Sequence, residues 1–346
     1  MVRAIQIGLG RWGFSWTKDV ITRVTDVEMV GFVDSNPEAT QRVHDELGTP
    51  QSLLFTNLEE AVNTAKPDLA ICTLRTEAHY PVVKRCLELG LSVLVEKPFA
   101  STIAQGKELV ELAKANSRVL MVSQNYRFMP APIAAAELIG AQKFGPVNLV
   151  SVEFRRHAPS QGYRYWDMPD PLLADMSIHH FDLMRMVLSD NPKRVSCRTW
   201  NPPASPFGHD PIGVATMEFE KGTIVSYRGS WMSSGPHTPW SGDWTMDCSG
   251  GQIIWGSRDN FMGQTFPDRL SVLPLDGELT PVELEPLEYQ DRLGSLASIA
   301  KVVQTGVVPA RFSSGEDNIH SLALVEASII SAGRGGEWVE IAEVMQ

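Results

Sequence analysis

Three polar side chains on one helical stretch are the first candidates for chemistry. In Leu172-Leu173-Ala174-Asp175-Met176-Ser177-Ile178-His179-His180-Phe181-Asp182, the residues Asp175, His179 and Asp182 stand at i, i+4 and i+7. At about 100° per residue this spacing puts two carboxylates and an imidazole on one helix face. Leu173, Met176, Met184 and Leu188 flank them. Unpaired charge on an apolar helix is costly, so the ridge is either ion-paired or built for proton transfer. In the second case His179 is the general acid/base, because imidazole titrates near working pH. Asp175, one turn earlier, orients its ring. His180 points about 100° away and is assigned to packing beside the site or to a substrate contact. A cation is supplied by Glu96-Lys97-Pro98, which follows an apolar run. A residue before proline is biased toward extended backbone, and the Lys97 ammonium could stabilise a developing alkoxide.

The elements that must position these groups start at the other end of the chain. Gly8-Leu9-Gly10-Arg11-Trp12-Gly13 follows the apolar run Val2–Ile7, and Asp34 closes the next run, Val27–Val33. A glycine-rich turn between strand and helix brings bare backbone N–H groups to a pyrophosphate. An acid about 20 residues later can hold a ribose diol. Gly8, Gly10, Arg11, Trp12, Gly13, Asp34, Ser35, Thr73, Glu96 and Lys97 are therefore assigned to a dinucleotide. Asp34 should repel a 2′-phosphate and Ser35 and Asn36 offer it no cation, so NAD is expected over NADP.

Alternating signals continue to residue 125: Asn36, Pro37 and Gly48 read as N-cap, first-turn proline and helix stop. Thr102 and Gln105 form a capping-box pattern. Leu69–Leu74, Ser92–Val95 and Val119–Val122 read as buried parallel strands. Beyond residue 125, strand-like runs at Val147–Phe154, Val195–Trp200, Val214–Phe219 and Ile224–Trp231 come with few helices, apart from about Pro171–Leu188 and Gly315–Ala332. The expected fold is α/β: a doubly wound parallel sheet over residues 1–125, then an α+β domain with a mostly antiparallel sheet over 126–346. A cleft between two such domains is the default substrate site.

Bulk properties exclude several function classes. The chain has 346 residues, 43% of them hydrophobic, and a net charge of −11. With no Lys/Arg cluster, nucleic acid and anionic membranes are not expected partners. No apolar stretch reaches the roughly 18 residues that span a bilayer, and the first strand begins too early to leave room for a secretory signal. Cys72, Cys86, Cys197 and Cys248 show no metal-ligand or redox spacing. No metal is expected, and a cytoplasmic location is.

Taken together, Gly8-x-Gly-x-x-Gly13, Glu96-Lys97-Pro98, Asn125-Tyr126-Arg127-Phe128, Asp175-x-x-x-His179-x-x-Asp182 and Ser314-Gly315-Glu316-Asp317 resemble the glucose–fructose oxidoreductase and inositol dehydrogenase (Gfo/Idh/MocA) family. The likeness runs the whole chain. It implies a nicotinamide-dependent dehydrogenase or reductase of sugars, cyclitols or related polyols, with Lys97 in the active site, His179 as acid/base and Asp175 as its partner. It also implies a homodimer or homotetramer built on the open sheet. Two other outcomes stay open under this resemblance: a non-catalytic nucleotide- and sugar-sensing regulator, and a glycosidase that oxidises its substrate transiently through NAD. Tyr126, Arg127, Arg156, Tyr163 and His180 are the candidate substrate contacts, with Arg155, Arg164 and Tyr165 nearby. The chain departs from the family at Asp167-Met168-Pro169-Asp170-Pro171, where many members carry a glycine-rich stretch. Its segment Trp231–Trp244 is rich in indoles, suited equally to sugar faces and to core.

Overall fold

The computed structural model describes residues 1–157, 166–261 and 264–346. Two compact units divide it: Met1–Phe128 with Tyr289–Ile319, and Met129–Glu288 with His320–Gln346.

The first unit is a doubly wound sheet. Its strands are β1 (Val2–Ile7), β2 (Val27–Val33), β3 (Leu54–Phe55), β4 (Leu69–Cys72), β5 (Ser92–Val95) and β6 (Leu120–Val122). All pairings are parallel, in the order β3-β2-β1-β4-β5-β6. The four residues of β4 and of β5 are buried on both faces, which is why they read as unbroken apolar runs. Connecting helices are α1 (Arg11–Asp19), α2 (Pro37–Leu47), α3 (Leu58–Ala65), α4 (Thr76–Glu88) and α5 (Ile103–Ala115). The caps read from the sequence form: Asn36 accepts the Glu38 N–H, Gly48 takes a left-handed φ of 69°, and Thr102 accepts the Gln105 N–H.

The second unit holds a nine-stranded sheet. After helix α6 (Pro130–Gly140) come β7 (Val147–Arg155), a π-helical turn over Pro171–Ser177, α7 (Ile178–Leu188), β8 (Pro192–Trp200), β9 (Ile212–Phe219) and β10 (Ile224–Ser230). Further along are β11 (Asp243–Cys248), β12 (Gly251–Gly256), the small hairpin β13 (Asp259–Phe261) and β14 (Gln264–Phe266), β15 (Arg269–Pro274) and β16 (Thr280–Pro281). The sheet order is β16-β15-β12-β11-β7-β10-β9-β8-β17, where β17 is Val339–Glu340. Its pairings are antiparallel except between β7 and β10. Burial alternates along β9, β10 and β11, as a sheet with one covered face requires.

The helix expected from Pro171 to Leu188 is not α-helical throughout. Its first seven residues form a wider turn, in which the Ser177 hydroxyl reaches back to the Leu172 carbonyl at 3.1 Å. The step of about 100° per residue therefore holds only from Ile178 onward.

Residues 289–319 return to the first unit, so a single division into 1–125 and 126–346 does not describe the chain. The cause is burial. On α8 (Asp291–Thr305), Leu296, Ile299, Ala300 and Val302, joined by Phe312, share a core with Val2, Ala4, Trp16, Ile71 and Leu94. Each fully buried leucine or isoleucine contributes roughly 1.5–3 kcal/mol. Val122 N–H also donates to Ser313 O at 2.9 Å, covering the otherwise open edge of β6. The division passes between Ile319 and His320, inside α9 (Gly315–Gly333).

Candidate functional site: the glycine turn and the histidine helix

In the first unit the ends of β1, β2, β4 and β5 bring the expected cofactor residues together. Gly8 sits at φ +93°, and a Cβ on Gly13 would overlap the Gly8 carbonyl oxygen, whereas a Cβ on Gly10 would meet nothing within 4 Å. The turn thus needs glycine at Gly8 and Gly13 for its own geometry, while Gly10 leaves open space in front of α1. That helix has no side-chain cap, so its first N–H groups remain available to an anion.

Acid and base grip the turn from either side. Asp34 Oδ2 accepts the Leu9 N–H at 2.7 Å and Oδ1 accepts the Asn36 N–H at 2.9 Å. Each oxygen keeps a second lone pair for a ribose hydroxyl. Arg42, which sequence reasoning missed, donates from Nη2 to Leu9 O at 2.6 Å and lies 4.4 Å over the Phe14 ring. Ser35, Arg11 and Trp12 are exposed, and Lys97 is half-buried.

Two residues assigned to cofactor contact are engaged differently. The Thr73 hydroxyl donates to Gly8 O at 2.7 Å and accepts from Gln6 Nε2 at 3.0 Å, so it braces the turn from beneath rather than facing a ligand. Gln6 Nε2 also reaches Gly13 O at 2.8 Å. Glu96 is buried, and its Oε1 accepts the Trp16 indole N–H at 2.8 Å. Burial pushes its carboxyl above the usual range, while hydrogen bonds from Trp12 and Trp16 and the charges of Lys97 and Arg292 oppose this. With both indoles on it, Glu96 serves as a strut beside the turn. The Lys97–Pro98 peptide is cis. Buried His79, also unforeseen, places Nδ1 2.7 Å from Pro98 O and Nε2 3.2 Å from Leu74 O, tying the loops after β4 and β5. Its signal was only a lone histidine early in a helix.

Tyr126 and Arg127, expected to touch substrate, lie buried in the turn Asn125–Phe128 of this unit. The Arg127 guanidinium, itself buried, bonds the half-buried Asp317 at 2.6 Å and anchors the returning segment. Arg127, held by Asp317, is a brace within this unit, and Tyr126 lies beside it.

In the second unit, Asp175 lies in the π-helical turn and His179 in the first turn of α7, 8% and 7% exposed. Asp182 lies three residues beyond His179 in α7. It is 1% exposed, accepts the Ser321 hydroxyl at 3.0 Å and sits near Arg185, which itself donates to Ser321 and Asn191. Asp182 therefore ties α7 to α9.

His180 is corrected as well. It is fully buried, with Nδ1 3.0 Å from the Tyr227 hydroxyl and Nε2 2.9 Å from Trp240 O. Burial pushes its pKa down to about 4, so the ring is neutral: Nε2–H donates to the carbonyl and Nδ1 accepts from Tyr227. Neither nitrogen is left for a substrate. The Ser177 hydroxyl, 2.9 Å from Tyr227, continues this chain into the π-helical turn. His180 thus fixes the helical turn next to His179.

Arg156 is nearly buried, donates from Nη1 to Asn260 O at 3.1 Å and lies 4.3 Å over the Trp240 ring. Trp231 and Trp244 are core, the latter stacked on Trp255 at 4.4 Å. Tyr163, Arg164 and Tyr165 lie outside the described residues. Among the described residues no group of three His, Cys, Asp or Glu side chains could hold a metal ion. No described helix is long and apolar enough to cross a membrane.

Family models match both halves of the chain. Residues 2–124 match a family model described as an oxidoreductase family with an NAD-binding Rossmann fold, and residues 133–254 match the Gfo/Idh/MocA C-terminal domain. An uncharacterised Sinorhizobium fredii protein, y4oX, is 25% identical over 99% of this chain and 97% of its own length. The 1,5-anhydro-D-fructose reductase of Ensifer adhaerens is 23% identical over 96% of this chain and 99% of its own. Among solved structures, an inositol dehydrogenase homologue from Azotobacter vinelandii, complexed with NADH and myo-inositol, superposes with a TM-score of 0.82 at 18% identity, covering 98% and 97% of the two chains. Matched in order along both its halves, the chain belongs to the Gfo/Idh/MocA family of NAD-binding oxidoreductases.

Proposed function

We propose that the chain is an NAD-dependent dehydrogenase or reductase acting on a CH–OH group of a sugar, cyclitol or related polyol. The observation that carries this is the turn at Gly8–Gly13. It has open space at Gly10, an uncapped helix end and a carboxylate at the end of β2, which together fit a dinucleotide's pyrophosphate and ribose. Gly10, Arg11 and Trp12 would flank the phosphates through backbone N–H groups, and Asp34 would accept a ribose hydroxyl. Asp34 also disfavours a 2′-phosphate, supporting NAD over NADP. When bound, the nicotinamide supplies hydride acceptance or donation. His179 takes or returns the hydroxyl proton at its imidazole, and Asp175 holds the ring and favours its cationic form. Lys97 donates a hydrogen bond to the substrate oxygen and stabilises alkoxide character there.

The substrate class is supported by one relative named for an anhydrofructose and by the neighbour holding myo-inositol. The reading carries with it a homodimer or homotetramer and a cytoplasmic location. Absorbance at the NADH band, followed over a panel of sugars, inositols and sugar acids with NAD and NADP, tests it. Nicotinamide reduction by one class of polyol is the expected result. Tight NADH binding with no turnover over the whole panel would instead support a sensor of the same fold, and release of free sugar without net NADH would support a transient-oxidation glycosidase.

A further inference from the structure

Trp12 is anomalous in its surroundings: it lies in the glycine-rich turn with 46% of its surface exposed, yet its indole is not loose. The guanidinium of Arg292, on α8, lies 4.7 Å from the Trp12 ring centroid and 5.6 Å from that of Trp16. Arg292 Nη1 also donates to the Ser15 hydroxyl at 3.2 Å. The indole N–H of Trp12 and that of Trp16 both serve the carboxylate of Glu96, the residue just before Lys97. Three stretches far apart in sequence, residues 12–16, 96 and 292, thus pin one exposed aromatic plane beside the end of β5. An exposed tryptophan has several rotamers in reach, and fixing one costs entropy. Stacking and hydrogen bonding on opposite parts of the ring offset that cost before any ligand arrives.

Resting on the dinucleotide reading above, we propose that Arg292 is a positioning residue that holds Trp12 as a rigid stacking wall for the nicotinamide ring. Trp12 bonds Glu96, which follows β5, whereas Asp34 follows β2 on the other side of β1, so the wall would serve the pyridine half of the cofactor and not the adenosine half. Its chemistry is that of one flat ring on another, supported from behind by a cation. A preformed aromatic pair of this kind is worth about two- to ten-fold in affinity.

The experiment compares NADH with ADP-ribose, which keeps the adenosine, pyrophosphate and second ribose but lacks the pyridine ring. Binding of both is titrated for the full chain and for Arg292→Met, Arg292→Lys, Trp12→Ala and the Trp12→Ala/Arg292→Met double variant, with thermal unfolding as a check on folding. Arg292→Met should weaken NADH about two- to ten-fold and leave ADP-ribose unchanged. Arg292→Lys, with its charge but without the planar face, should fall between. Because Arg292 acts through Trp12, the double variant should lose no more than Trp12→Ala alone. Energy transfer from indole to bound NADH should fall in Trp12→Ala. Equal losses for both ligands, or additive losses in the double variant, would overturn the proposal while leaving the dinucleotide reading intact. A wild-type chain that binds neither ligand would overturn both.

Discussion

Acid should weaken the second unit through buried His180. Its imidazole is fully buried between Tyr227, Trp240 and Phe154, and burial lowers its pKa from 6.5 to about 4. Between these values the unfolded chain carries a proton that the folded chain does not. Stability is therefore complete above the unfolded pKa and is lost as pH falls toward the folded one. The full difference corresponds to about 3 kcal/mol, of which about 2 kcal/mol should disappear between about pH 7 and about pH 5, before most carboxylates titrate. Urea unfolding followed by tryptophan fluorescence reads this, since seven of the nine indoles (Trp166, Trp200, Trp231, Trp240, Trp244, Trp255 and Trp338) belong to the second unit. The control is His180→Gln, whose amide can still donate to Trp240 O and accept from Tyr227 but does not titrate. His79 and His237, whose pKa values burial also lowers, stay in both proteins and cancel in the difference. His180→Gln will be less stable at neutral pH, so the slope and not the absolute value decides. If the two proteins lose the same free energy between these pH values, His180 is not buried neutral and the proton-ordered chain from Ser177 to Trp240 is wrong.

Other expectations follow from the same geometry. Gly13→Ala, with a Cβ driven into backbone, should unfold more easily and lose NADH binding, whereas Gly10→Ala, with open space around it, should keep its unfolding midpoint and lose mainly affinity; calorimetry and NADH fluorescence separate the two. His179→Ala should cut turnover about 10²–10⁴-fold with NADH affinity kept; unchanged turnover would remove it from the mechanism. Asp34→Ala should narrow the NAD/NADP affinity ratio and also weaken the turn, because Leu9 N–H loses its acceptor; a ratio left as in the wild type would show that Asp34 does not choose the cofactor.

The sequence by itself determined what depends on neighbours within a few residues or on period. Its own segments encode the Gly8–Gly13 turn between strand and helix, the caps at Asn36 and Thr102, the continuous apolar runs of β4 and β5 and the alternation of β9 and β10. Local sterics and backbone hydrogen bonding act through adjacent residues, so their signals survive in one dimension. Tertiary structure decided what each polar side chain in those segments does. Glu96 reads as a free carboxylate at a strand end until Trp12, Trp16 and Arg292 converge on it. Nothing in the letters around His180 announces Tyr227 or Trp240, nor do those around Asp182 announce Ser321. Even the winding of residues 171–177 escaped the helical period, because its wide turn is held by Ser177 between Leu172 and Tyr227. A hydrogen bond or a buried charge is fixed by whichever group the fold carries to within about 3 Å, and that group here stands tens to hundreds of residues away.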